Sequence, residues 1–155
     1  MAEDAPLDMV RAMLTQAEIA RLATTGPRGA PSLAPFWFYF DGARIGIRTL
    51  ENVTVRNVRR NPAVSFLVDF GARYADLRGA VIQGAAHVVG PEEAPESLAA
   101  GYDRKYSEYR SEMRALGDRH RPNPRPRAFL VIVPERAQWF VLGGSIWGRV
   151  SFPAS

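Results

Sequence analysis

TLENVTVRNVRRNPAVSFLVD, residues 49–69, passes from helical to strand-like spacing across a single proline. Within it, residues 52–60 place Val55 and Val58 on one side and Arg56, Arg59 and Arg60 away from them, a helical spacing. Asn61-Pro62 then stops the helix, because the residue before a proline is pushed out of the helical region. From Ala63 to Phe70 the chain is almost continuously apolar, as a strand buried on both sides would be. The stretch therefore reads as the end of one strand, a short helix and a second strand.

Upstream, Ile19–Thr25 and Pro31–Phe40 flank the turn Gly26-Pro27-Arg28-Gly29, which reads as a hairpin. Asp41-Gly42 marks another turn before a strand from Arg44 to Thr49. Residues 6–17, PLDMVRAMLTQA, carry Leu7, Val10, Met13, Leu14 and Ala17 at the spacing of an amphipathic helix. Downstream, Gly79–Val89 reads as a strand, Pro91–Tyr106 as a helix and Ala128–Leu142 as a long last strand. Residues 107–127 are basic and carry prolines at 122, 124 and 126, so they read as irregular. The tail after Gly143-Gly144, SIWGRVSFPAS, is long enough to reach a neighbouring subunit. The order predicts a single α+β domain, mainly β: a six-stranded antiparallel barrel with flanking short helices.

Several classes of chemistry are excluded by what the chain lacks. It has no cysteine, so disulfides, thiolate nucleophiles and Cys-ligated zinc drop out together. His87 and His120 lie far apart without acids at ligand spacing, and no metal site is expected. His87 fits a hydrogen-bonded structural histidine in an apolar strand. There is no Gly-x-Ser-x-Gly elbow for a hydrolase. No apolar run approaches a membrane span, and the acidic start Met1–Asp4 is unlike a secretory leader; a cytoplasmic protein is expected.

The net charge of +4 comes almost entirely from arginine and invites an anionic partner. The arginines are not interleaved with aromatics in a binding motif, which speaks against nucleic acid. Residues 104–127 form either a solvated basic loop or a rim for an anionic tail. Phe36-Trp37-Phe38-Tyr39-Phe40 offers either a stacking surface or plain core. Trp147 and Arg149 read either as interface packing or as cover for a cofactor site.

Four strings resemble the pyridoxamine-5′-phosphate-oxidase-like split-barrel family, especially its flavin/deazaflavin oxidoreductase branch. They are IARLATTGPRGAPSLAPFWFYFDG (19–42), TLENVTVRNVRRNPAVSFLVD (49–69), LRGAVIQGAAHVV (77–89) and RPNPRPRAFLVIVPERAQWF (121–140). The resemblance implies a homodimer of six-stranded barrels sharing two cofactor sites. It places the coenzyme ring at Pro35, Phe36 and Trp37, and the coenzyme phosphate between Thr49 and Asn57. Thr49, Asn52, Thr54, Arg56 and Asn57 are the candidate phosphate residues, with Arg48 as a further cation. The family's phosphate-binding Lys falls at Thr54, and a basic residue often found before it falls at Val53. The implied function is an oxidoreductase using the deazaflavin F420, or alternatively FMN, for hydride transfer to a small organic substrate. A non-catalytic cofactor-binding or heme-binding member of the same fold is the alternative.

Overall fold

The computed structural model describes residues 5–115 and 125–154. The chain runs α1 (Ala5–Gln16), β1 (Ile19–Thr25), β2 (Pro31–Trp37), β3 (Tyr39–Phe40), β4 (Ile45–Leu50), α2 (Val53–Arg60), β5 (Ala63–Phe70) and β6 (Arg78–Val89). It continues with α3 (Glu96–Lys105), α4 (Ser107–Ala115), β7 (Arg127–Val141) and β8 (Ile146–Ser151). All strands belong to one antiparallel sheet in the order β2-β1-β5-β6-β7-β4-β3, with β8 added beside β7.

Strands β2 and β3 stand at opposite ends of that order, yet only Phe38 separates them in the chain. The sheet must therefore curl until its ends meet, which is consistent with a split barrel. At the seam the ladder is interrupted, and the backbone of Phe38 needs partners from elsewhere. Its N–H donates to the Tyr106 hydroxyl at 3.0 Å.

The concave side is filled by period-two side chains: Leu22 from β1, Ile45 and Ile47 from β4, Phe66 from β5, Ile82 from β6 and Leu130 and Ile132 from β7, all fully buried. Phe38 joins them, its ring set edge-on to Phe66 at 4.8 Å. Helix α1 closes the barrel with Leu7, Val10, Met13 and Leu14, and α2 adds Val55 and Val58. Each such side chain contributes roughly 1.5–3 kcal/mol on burial. On the convex side, α3 packs Leu98 against Phe129 and Val131 of β7. Gly101 permits this: a Cβ there would stand 2.0 Å from the Tyr39 ring.

Four expectations need correction. The sheet has eight strands, because Pro31–Phe40 breaks at Phe38 and the tail forms β8 instead of extending away. The tail stays because Phe152 N–H donates to Glu135 O, the carbonyl freed at the bulge opposite Gln83/Gly84. Residues 107–115 form α4 and not an irregular segment. Pro91–Tyr106 is a single 3-10 turn followed by α3, which starts only at Glu96. His120, Pro122 and Pro124, and with them part of the basic stretch, lie outside the described residues.

Candidate functional site

The β2 edge carries Pro35, Phe36 and Trp37. Together with Ile19 and Tyr102 they line an open hollow of about 360 Å³. Trp37 lies flat on Tyr106, ring centroids 4.8 Å apart and planes within 5°. Tyr109 of α4 tilts against the same indole at 5.5 Å. An offset aromatic stack of this kind adds roughly 0.5–1.5 kcal/mol beyond its buried area.

Tyr106 sits at the elbow between α3 and α4 and is fully buried. Its hydroxyl accepts from Phe38 N–H and lies 2.6 Å from Glu18 O and 2.7 Å from Phe38 O, the acceptors for its single proton. Burial pushes its pKa far above that of a free phenol. Next to it, Lys105 Nζ donates to Ala17 O at 2.5 Å and Phe38 O at 3.1 Å, over the faces of Phe38 and Tyr106. Burial brings the Lys105 amine down to about 8, against the opposing pull of Glu18. Tyr102 is pushed up to about 12 by burial, despite Arg110 and Arg48 nearby, and stays protonated at neutral pH.

The anion end begins at Arg48. Its guanidinium makes a two-pronged bond to Asp103 at 3.1 and 3.0 Å, and Arg110 joins the same carboxylate at 2.7 Å. Arg48 lies 5.9 Å from the centre of the Tyr102 ring, so Tyr102 links the hollow to this cluster. One residue on, the Thr49 hydroxyl accepts from Asn52 Nδ2 at 2.9 Å, while Asn52 Oδ1 accepts from Val55 N–H. Asn52 is thus the N-cap of α2. The amides of Val53 and Thr54 have no acceptor within the helix and carry its partial positive charge.

The remaining candidates divide by exposure. The Arg56 side chain is exposed and makes no hydrogen bond or ion pair with any described residue. Thr54 and Asn57 are buried. Asn57 Nδ2 donates to Thr24 Oγ1 at 3.0 Å and so ties α2 to β1. The structure therefore gathers Pro35, Phe36 and Trp37 around the hollow, Arg48 beside it through Tyr102, and Thr49, Asn52 and Arg56 about the α2 entrance. Tyr102, Asp103, Lys105 and Tyr106 were absent from the sequence-based set. Their signal was the pair of tyrosines at positions 102 and 106, one helical turn apart.

A larger groove of about 520 Å³ crosses the outward face of β6, β7 and β8, lined by Gln83, Arg136, Gln138 and Arg149. It contains no aromatic ring. Trp147, on the same short strand as Arg149, is 67% exposed. His87 is exposed on β6 and its ring makes no hydrogen bond with any described residue, contrary to the expected hydrogen-bonded structural histidine. Among the described residues, no helix is long and apolar enough to cross a membrane.

A family model described as pyridoxamine 5′-phosphate oxidase matches residues 7–139. The chain belongs to that family. No curated protein matches it. Among solved structures, this oxidase-family chain is similar to a conserved hypothetical protein from Mycobacterium tuberculosis, at 25% identity and a TM-score of 0.67 over 96% of this chain and 92% of the other. It is also similar to an F420 reductase, at 23% identity and a TM-score of 0.59, covering 82% of this chain and 94% of that one.

A third similar structure is an FAD-binding protein from Mesorhizobium loti, at 19% identity and a TM-score of 0.60, covering 85% of this chain and 89% of that one. The two likenesses below 25% identity speak for the fold alone.

Proposed function

We propose that this oxidase-family chain binds a flavin-type coenzyme, the deazaflavin F420 in preference to FMN, and acts as an oxidoreductase on a small organic substrate. The observation that carries this reading is the hollow beside Trp37, its indole backed by buried Tyr106, joined through Tyr102 to Arg48, the residue before the Thr49 that binds the α2 cap. The named F420 and FAD binders among the similar structures support a coenzyme of this class. When bound, such a ring accepts and returns a hydride, and the protein supplies position and electrostatics.

The donor set fits this group. Pro35, Phe36 and Trp37 offer an apolar wall for a planar ring, and Tyr102 adds a protonated phenol to the lining. The amides of Val53 and Thr54, with exposed Arg56, offer an anion site. Arg48 is engaged with Asp103, so its charge reaches the site already half neutralised. An anion site short of cations favours F420 over FMN in this reading, because FMN depends most on its phosphate contacts.

The chain acts as a homodimer in this proposal. Ile19 and Leu33 on β1 and β2, and Ile146 and Trp147 on β8, are 47–69% exposed. Apolar side chains so placed call for a covering surface, and a second copy is the commonest one. A monomeric mass by light scattering at micromolar concentration would remove the dimer. The coenzyme test is titration of the purified protein with F420 and with FMN, following ring fluorescence. Tighter FMN binding reverses the ranking, and failure of both at micromolar concentration removes the coenzyme reading.

A further inference from the structure

Lys105 is the sole lysine among 20 basic residues, and it is placed where the chain is hardest to satisfy. The barrel seam leaves the Phe38 backbone outside the ladder. Tyr106 takes its N–H, and Tyr106 and Lys105 both reach its carbonyl. The same two side chains hold Ala17 O and Glu18 O, at the turn between α1 and β1. Trp37 is the residue just before the seam, and its flat face rests on the Tyr106 ring.

We propose that Lys105 and Tyr106 form a clamp that seals the seam and fixes the pose of Trp37, so that both are positioning residues for a ring stacked in the hollow. The ring part of this inference rests on the coenzyme reading; the clamp itself does not. An ammonium makes stronger bonds to carbonyls than a neutral amine and is attracted to the two ring faces beneath it. The cost of burying the ammonium outweighs this gain, which is why the amine's pKa falls, so losing the proton favours the closed clamp. The charged or titratable groups facing Lys105 are the Glu18 carboxylate and the Tyr106 phenol, with Tyr109 bonded to Glu18 at 2.8 Å. The end of α1 and the β2–β3 seam present carbonyls.

The test uses Trp37 as its own reporter, in a Trp139→Phe, Trp147→Phe background, with acrylamide quenching as the readout. Tyr106→Phe and Lys105→Met should each raise the Trp37 quenching constant about twofold. They should weaken riboflavin, a ring without phosphate, by about fivefold, equivalent to roughly 1 kcal/mol, and leave inorganic phosphate binding unchanged. Without either variant, quenching should fall as pH rises through a midpoint near 8. Unchanged quenching in both variants, or a flat pH profile, overturns the clamp. If riboflavin fails to bind the unsubstituted protein while quenching behaves as stated, the clamp stands and the coenzyme reading falls.

Discussion

The two ends of the candidate site are built on opposite terms. At the aromatic end the two polar groups behind Trp37 are tied down: the Tyr106 hydroxyl meets three backbone groups and the Lys105 amine two. At the anion end the amides of Val53 and Thr54 and the Arg56 side chain have no hydrogen-bond partner among the described residues, and Arg48 is shared with Asp103. Shape is thus fixed by the fold before any ligand arrives, whereas charge is left open. The contrast implies that substitutions at the first end act on stability, and those at the second on anion affinity.

The strongest way to break the aromatic end is Gly101→Ala. Helix propensity alone would favour alanine by roughly 1 kcal/mol, but its Cβ would meet the Tyr39 ring at 2.0 Å. Overpacking should win, with a net loss of about 1–3 kcal/mol in urea denaturation. A stabilised variant would mean that α3 can lift from β3 at little cost. Asn57→Ala comes next, at about 1–2 kcal/mol, because it strands the buried Thr24 hydroxyl. That loss should appear in thermal unfolding.

Val53→Lys sharpens the other end. Val53 is 52% exposed, so a lysine there adds charge without packing cost, unlike one at buried Thr54. Coenzyme affinity should tighten by about 1 kcal/mol, and less in salt, as screening acts over about 10 Å at roughly 0.1 M. Unchanged affinity in a coenzyme titration would take the phosphate away from α2.

The smallest effect is one of pH. The folded Lys105 amine titrates near 8 and the unfolded one at 10.5, so the unfolded chain binds more protons between these values. Stability should therefore rise from about pH 8 towards 10. Above 10 the raised phenols of Tyr102 and Tyr106 reverse the trend, because the folded state then holds the extra protons. Urea midpoints across this range should show the rise in the parent protein and its absence in Lys105→Met.

Much of this was legible from residue spacing. Val55 and Val58 gave α2, Gly26 to Gly29 gave the first hairpin, and the apolar run from Ala63 gave β5. The misses share a physical cause. Strand β8 has no buried residue, so it leaves no alternation to read, and it is held by backbone pairing to β7. Helix α4 likewise buries nothing and shows no apolar stripe. The Phe38 break escaped because its neighbours on both sides are aromatic and strand-like. The clamp was half visible: the spacing of Tyr102 and Tyr106 showed one helix face, but not that it meets a seam 68 residues away in sequence.

That the sole ε-amine lies under an elbow has a practical corollary. Acylating reagents find no lysine elsewhere on this chain, and the half-buried Lys105 amine is held by two carbonyls, so its rate of labelling reports on how firmly that contact is kept. The protein carries a built-in gauge of its own breathing, readable by mass spectrometry at a single residue.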